Sequence, residues 1–490
     1  MAEFAYDLIV GLETHVQLAT QTKLFCGCST KFGAAPNTQT CPVCIGMPGS
    51  LPVMNREAFE LSLVTAIALH CEIPEFTKWD RKQYYYPDLP KGYQISQYDL
   101  PMSQNGYLAI SDAKGRFQPK KVGIIRAHLE EDAGKSLHDE AAGKADTRID
   151  LNRTGTPLLE IVSAPDIRSQ EETRAYLTEL KLLLTYLGVS DCNMQEGSLR
   201  VDANVNLHIQ TPQGTIATPI VEIKNLNSFR YIERALAHEA KRQYEVWQET
   251  GKTIGQMPKQ TRGWDDAKGI TFGQREKEES SDYRYFPDPD LCPVITPRAR
   301  VEEVRAKLAE QPAAIRERLE TSHGITPYDS DVIVSQGRET VDYYEAVVKL
   351  AGDGKKAANW VTQEVLRVLN EQSWSLAMFP LNAAMLGDLV KRVIGGEIEI
   401  TRAKEVFNDM VANKRSAAES MQALGIGKVD MSELEAICKE VVAANPRIVA
   451  DVKGGKQQAV GALVGQAKKK NPNANPNDVR RICLELIEKM

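Results

Sequence analysis

Four stretches in the first half of the chain alternate apolar and polar residues with period two, the pattern of half-buried strands. In "LIVGLETHVQL" (8–18), Val10, Leu12, Val16 and Leu18 share one face and Glu13, His15 and Gln17 the other. In "VGIIRAHLEED" (122–132), Arg126, His128 and Glu130 point together, with Glu131 and Asp132 at the strand's end. In "LRVDANVNLHI" (199–209), Val201, Val205 and Leu207 oppose Asp202, Asn204, Asn206 and His208; in "IVEIKNLNS" (220–228), Glu222 and Lys224 align. Helical period appears in "TRAYLTELKLLLTYLG" (173–188), closed by Gly188, and in "SFRYIERALAHEAKRQYEVWQETG" (228–251). Four prolines in "FPDPDLCPVITPRAR" (286–300) break any regular element, and the stretch reads as a linker. Nearly everything after it has helical period, which lapses at "IGGEIEI" and restarts after Thr401. The pattern predicts an α+β protein. A largely antiparallel-sheet body with flanking helices (1–295) precedes an all-helical domain (296–408) and a helical tail domain (409–490).

Composition adds little to that picture except a compartment. The 490 residues are 42% hydrophobic and 26% charged, enough for two to four domains with ordinary cores. "MAEFAYDLIVGLETHVQL" has neither the charge distribution nor the apolar run of a signal or transit peptide, and no stretch approaches a membrane span. The expected compartment is a reducing cytoplasm, where stable disulfides are uncommon.

That expectation bears on "LFCGCSTKFGAAPNTQTCPVCIG" (24–46), where Cys26, Cys28, Cys41 and Cys44 stand as C-x-C and C-x₂-C. A catalytic thiol has no use for three more cysteines beside it. Two close pairs, with Gly27, Pro42 and Gly46 bending the chain, suit a tetrahedral Zn2+ held by four thiolates, a structural site; the alternative is a coincidental cysteine-rich loop. The other five cysteines sit singly among apolar neighbours and read as small buried hydrophobes.

The polar strand faces have two readings. One is the solvated side of an antiparallel sheet. The other is a surface for hard-cation ligation and phosphate chemistry, which His, Asp and Asn at consecutive positions favour. "EEDAGKS" (130–136) is no phosphate-binding loop, because Leu129 stands where its first glycine belongs. "WDRKQYYYPDLPKGYQISQYDLP" (79–101), dense in Tyr, Lys, Arg and Gln, is either an ordinary aromatic loop or a surface that stacks on a nucleotide or an RNA end.

Taken together, "VGLETHVQL", "CPVCIGMPGSLPVMN", "DRKQYYYPDLPKGYQISQYDLP", "HLEEDAGKS", "DLNRTGTPLLEIVSAPD", "EGSLRVDANVN", "EIKNLNSFRYIERA", "SSDYRYFPDPDL" and "GKQQAVGALVGQAKKKNPNANP" resemble the B-subunit family of bacterial and organellar glutamyl/aspartyl-tRNA amidotransferases. The resemblance covers the whole chain. It implies an ATP-dependent ligase that phosphorylates the side-chain carboxylate of Glu-tRNA(Gln) or Asp-tRNA(Asn) and amidates it with ammonia. Phosphoryl transfer of this kind rests on positioning and on charge neutralisation by Mg2+.

Carried over motif by motif, the resemblance implies that Glu13, His15, Glu130, Glu131 and Glu222 form the catalytic pocket, with Glu13, His15, Glu130 and Glu222 ligating Mg2+. Lys82, Tyr86, Lys91, His128, Asp202 and Lys224 are expected toward ATP and the aminoacyl end. The chain carries no Ser- and Gly-rich amidase signature, so the resemblance implies a glutaminase A subunit as ammonia source and a small C subunit bracing the pair. The net charge is −6, yet residues 451–490 hold eight Lys/Arg against four Asp/Glu. The tail, with Lys468, Lys469 and Lys470, is therefore expected to grip tRNA, against the alternative of a solubilising charge run. Two other function classes stay open: a non-catalytic tRNA-binding scaffold, and a metallohydrolase built on His15, His128 and Glu130.

Overall fold

The computed structural model describes residues 4–138, 147–274, 283–427 and 431–490. The first three residues of the "SSDYRYFPDPDL" motif, 280–282, lie outside them. The chain forms two compact units, Met1–Ala314 and Ile315–Met490.

The first unit is built on a nine-stranded sheet. Its strands are β1 (Tyr6–Gln17), β2 (Gln104–Ile110), β3 (Lys120–Glu131), β4 (Pro157–Ser163), β5 (Leu199–Thr211), β6 (Gly214–Ala217), β7 (Val221–Lys224), β8 (Gln260–Asp265) and β9 (Ile270–Gly273). The spatial order is β9-β8-β7-β5-β1-β4-β3-β2, with β6 paired to β5. Every pair is antiparallel except β7 and β8. That parallel step needs a crossover, which the helix Phe229–Thr250 provides. Ser228 caps this helix by accepting from the Tyr231 N–H, and Gly251, at φ 66°, ends it. Helix Gln170–Tyr186 begins where the Ser169 hydroxyl accepts from Glu172, three residues before its apolar period becomes visible.

The apolar strand faces meet these two helices and helix Arg56–Ala68 in one core. Val10, Leu12, Val16 and Ile161 are fully buried there, among Leu63, Tyr176, Leu180 and Ile232. The opposite face of the central strands carries the polar residues.

One irregularity decides which residues that face receives. Val122 and Ile124 of β3 lie in the core, so strict alternation would send Arg126, His128 and Glu130 into it as well. Pairing with β4 instead shifts between Ile124 and Arg126: Ile124 stands opposite Ser163, and Arg126 opposite Val162. The extra residue, Ile125, is left half-exposed. This β-bulge inverts the phase of the strand, so that Ala127 and Leu129 enter the core and the three polar residues turn to the other face.

The proline-rich stretch expected to be a linker is sewn into the first unit instead. Phe286–Pro287 pairs with Asp80–Gln83, which also pairs with Tyr93–Ser96, and Val294–Ile295 pairs with Phe76–Thr77. Arg81 Nε lies 2.7 Å from buried Asp288, and its Nη2 lies 3.0 Å from Asp290. Two-residue edge strands need few N–H donors, so proline is tolerated here where it would break a central strand. Helix Arg298–Lys307 follows and places Val301 and Val304 in the same core. Cys71, Cys192, Cys438 and Cys483 are buried as expected, but Cys292 is exposed, held between Pro289 and Pro293 outside any regular element.

The second unit is helical throughout its described residues. Helices Arg338–Ala351 and Ala383–Ile394 bury Val341, Tyr344, Leu386 and Val390. Helix Ile400–Asn413 opens after the lapse at 395–399. Residues 434–487 enclose a core of their own around Leu434, Val441, Leu463, Val479 and Ile482.

Candidate active site and cysteine knuckle

The polar face of the sheet floors a cavity of about 1190 Å³. Strand register lays its side chains out as rows. His128, Glu160, His15 and Arg200 lie side by side across β3, β4, β1 and β5, and Arg126, Val162, Glu13 and Asp202 form the adjacent row. Tyr84, Tyr98, Tyr283 and Tyr285, all flanking the strands of the small sheet, line the cavity, and Tyr98 stacks on Tyr285 at 4.1 Å between ring centres.

Three ligand atoms converge on the floor. His15, Glu130 and Glu160 each offer one atom within 4.8 Å of the others. His15 Nε2 lies 3.9 Å from Glu130 and 3.6 Å from Glu160, and His128 Nε2 lies 3.9 Å and 3.5 Å from the same two carboxylates. Burial, and then the Glu160 carboxylate beside it, pushes Glu130 up to about 7. Burial also opposes ionisation of Glu160, yet the hydrogen bond and charge of His15, with Lys82 adding to them, outweigh it and hold that carboxyl low. Burial pushes His128 down to about 4. Two carboxylates and an imidazole in this space form a hard donor set that a divalent cation fits, and the carboxylate repulsion is relieved when one binds.

The structure brings most of the expected residues into this cavity. Glu13, His15, Lys82, Tyr86, His128, Glu130, Asp202, Glu222 and Lys224 all line it. They do not all converge. Glu13 accepts from Asn204 Nδ2 at 2.9 Å, while Lys224 bridges Asp202 at 2.9 Å and Glu222 at 3.1 Å. Lys82 lies 4.9 Å from the Tyr283 ring centre. Glu131 and Lys91 are not in the cavity. Consecutive strand residues face opposite ways, so Glu131 leaves β3 on the other side, where it is ion-paired with Lys91 and accepts from the Ile95 N–H at 2.9 Å.

Glu160 and Arg200 line the cavity without standing out in the sequence, and Asp132, at the end of β3, joins them. Arg200 lies 2.8 Å from Asp132 in the cavity wall. Glu160 has a readable signal: it is the lone charge in "PLLEIVS", and a carboxylate in an otherwise apolar central strand must find a partner.

On the side to which Glu131 turns, the four cysteines draw together, with sulfur atoms within 4.8 Å of one another. Tetrahedral four-thiolate zinc, with bonds of about 2.3 Å, needs sulfur separations of about 3.8 Å, so small side-chain adjustments complete the site. Cys41 starts the short helix Pro42–Ile45, and its N–H donates to Cys44 Sγ at 3.1 Å. Cys44 is pushed down to about 4, chiefly by the hydrogen bond from Cys26, with Lys23 adding to it. Lys23 is fully buried; its Nζ donates to the Gln39 carbonyl at 2.7 Å and lies 3.7 Å from Cys44 Sγ. Gly46, at φ 73°, packs so closely on Lys91 that a Cβ would lie 2.5 Å from its Cγ.

In the tail, Lys468, Lys469 and Lys470 form the last turn of helix Val460–Lys470. Lys468 lies 2.9 Å from Glu399 and Lys470 is ion-paired with Glu440, whereas no ion pair is found for Lys469 among the described residues.

Two family models match the chain. The family model described as "GatB/GatE catalytic domain" matches residues 8–302, and that described as "GatB domain" matches residues 342–487. The B subunit of the aspartyl/glutamyl-tRNA(Asn/Gln) amidotransferase of Rhodopirellula baltica is 61% identical over 100% of this chain and 98% of its own length. The corresponding B subunit of Carboxydothermus hydrogenoformans is 46% identical over 99% of each chain. The chain therefore belongs to the family of aspartyl/glutamyl-tRNA(Asn/Gln) amidotransferase B subunits.

Proposed function

We infer that this chain is the ATP-dependent ligase subunit that converts Glu-tRNA(Gln), Asp-tRNA(Asn) or both to Gln-tRNA(Gln) and Asn-tRNA(Asn). The observation that carries the reading is the His15–Glu130–Glu160 cluster on the floor of a cavity of about 1190 Å³, large enough for a nucleotide beside an aminoacyl-adenosine end. A carboxylate does not yield its oxygen to ammonia, so it must first become an acyl phosphate. His15, Glu130 and Glu160 would hold Mg2+, with Glu13 and Glu222 within the same cavity; bound there, the ion would neutralise phosphate charge. Lys82 and Lys224 add positive charge, and the tyrosine wall offers faces on which an adenine can stack. His128, held neutral by its burial, can orient Glu160 without adding a charge. A non-catalytic scaffold would not need a buried, mutually repelling carboxylate pair.

The four-cysteine knuckle would hold structural Zn2+. Glu131 and Lys91 tie the sheet to it. Ammonia would come from a glutaminase A subunit, with a small C subunit completing a heterotrimer in the cytoplasm. No helix among the described residues is long and apolar enough to cross a membrane. The tail domain, 409–490, would contact tRNA away from the reacting end, with Lys469 the lysine of the three left without an ion pair among the described residues.

The test is reconstitution of the full chain with the two partner subunits, followed by ATP cleavage and amide formation on each misacylated tRNA. His15→Ala should abolish both reactions while glutamine hydrolysis by the partner continues. Wild-type rates of ATP cleavage in that variant would refute the assignment.

A further inference from the structure

Arg126 is the first residue after the β3 bulge, and the bulge alone turns it from the core to the cavity. Its Nε is buried and has no hydrogen-bond partner among the described residues. Among the described residues it forms no ion pair, although Glu13, Glu130, Glu160, Asp202 and Glu222 line the same cavity. Arg200, by contrast, is held by Asp132 at 2.8 Å, and Lys224 by Asp202 at 2.9 Å. Arg126 itself is only half-buried, but a guanidinium N–H withdrawn from water without an acceptor is costly, and a protein with this many carboxylates at hand could have supplied one. Its anion is therefore expected to arrive with a ligand.

Register places that anion. Arg126 stands opposite Val162, and Glu160 is two residues along the same strand, so Arg126 and Glu160 are diagonal neighbours on one face. Diagonal partners lie about 7–8 Å apart, within reach of a long side chain. One anionic group can thus touch Arg126 on one side and the His15–Glu130–Glu160 cluster on the other. A bare carboxylate there would meet Glu130 and Glu160 with like charge. A polyphosphate brings its own divalent cation, which those carboxylates would take up, and its terminal oxygens match the planar guanidinium fork.

We propose that Arg126 binds the terminal phosphoryl group of ATP. This deepens the reading above and rests on it. In the step it serves, an oxygen of the substrate's side-chain carboxylate forms a bond to the terminal phosphorus. The bridging P–O bond breaks, its electron pair leaves with ADP, and no proton moves. Arg126 keeps its proton throughout and hydrogen-bonds the oxygens that carry the spreading charge.

The experiment uses the purified full chain with Mg2+, titrated calorimetrically with ATP, ADP and AMP. Arg126→Gln should weaken ATP by roughly 10- to 100-fold, the range of a lost charge-assisted contact. AMP, which lacks the terminal phosphates, should change by less than about twofold, within the scatter of such measurements. Arg126→Lys keeps the charge without the fork and should fall between Gln and wild type for ATP alone. Because Arg126 has no ion pair among the described residues, neither variant should lower Tm. Unchanged ATP affinity, equal losses for ATP and AMP, or a fall in Tm of several degrees would each overturn the proposal. Binding of ATP by wild type with no loss in either variant overturns this inference alone. Failure of wild type to bind ATP overturns the parent reading and this one with it.

Discussion

Two clusters in the first unit look alike as sets of ligand atoms and differ in almost everything else. The His15–Glu130–Glu160 cluster uses nitrogen and oxygen and opens on a cavity of about 1190 Å³. The cysteine cluster uses four sulfurs and borders a pocket of only about 60 Å³. An open site of hard donors leaves positions for substrate oxygens, whereas a closed four-thiolate site satisfies its metal with protein alone. The two are reached from neighbouring residues of one strand: Glu130 turns to the cavity and Glu131 to the side of the knuckle. The pleat sets the cavity and the knuckle apart by a single peptide unit. Adjacent glutamates of identical composition should therefore fail in different ways.

The largest effect is expected at Glu130. Glu130→Gln retains the shape but removes the charge that would hold a cation, and tRNA-dependent ATP cleavage should fall roughly 100- to 1000-fold. Zinc content and Tm should not fall, because the substitution also relieves repulsion with Glu160. Cleavage within about threefold of wild type, less than one ordinary hydrogen bond contributes, would mean the open cluster is not the reacting site.

How far this division can be read from sequence depends on the kind of signal. Helices with a cap residue declare themselves, as Ser228 and Gly251 show, and strict alternation places Glu13 and His15 on the polar face of β1. In β3 the period shows correctly that the polar residues point together. Their phase against Val122 and Ile124 is hidden, because a bulge is a property of the pairing with β4 and leaves no mark in one strand's own period. Grouping Glu131 with Glu130 follows proximity in sequence, which is the wrong measure of proximity in a strand. Prolines in 286–297 suggest a linker because they forbid central strands; the edge pairings and the Arg81 ties to Asp288 and Asp290 need partners two hundred residues away. The four cysteines are legible because two close pairs of thiols, C-x-C and C-x₂-C, have few uses other than binding one metal.

At the knuckle, Cys41→Ser should release zinc and lower Tm by roughly 5 °C, as expected for a lost structural ligand. The fraction that stays folded should still cleave ATP, since no cysteine among the described residues lines the cavity. Elemental analysis and calorimetry on the same sample check both statements. Full zinc retention with an unchanged Tm would leave the knuckle without its assigned role. Glu131→Gln comes next in size. It leaves Lys91 buried opposite a neutral partner, at an expected cost of about 3 kcal/mol in denaturant unfolding, while ATP cleavage changes little. If Glu131→Gln instead matches Glu130→Gln in lost activity at wild-type stability, the division along the strand is false.

The smallest effect is expected at Lys23, and it tests what a closed thiolate site requires of its surroundings. Four thiolates around a dication leave two net negative charges inside the protein. Lys23 is fully buried with its Nζ 3.7 Å from Cys44 Sγ, fixed there by the Gln39 carbonyl at 2.7 Å and more distantly by that of Leu151 at 3.5 Å. An ammonium so placed offsets part of that charge and donates toward the sulfur, as residues around a metal's own ligands commonly do. Lys23→Met keeps the aliphatic stem and removes the charge. It should speed zinc release to a competing chelator by about tenfold, the lower end of what such neighbouring groups contribute. The two carbonyls lose a donor, so Tm should fall slightly, by less than in Cys41→Ser. The open cluster lies on the other side of β3, so ATP cleavage by the zinc-loaded variant should match wild type. An unchanged release rate would show that Lys23 serves only to satisfy those two carbonyls, and that the thiolate charge is balanced elsewhere.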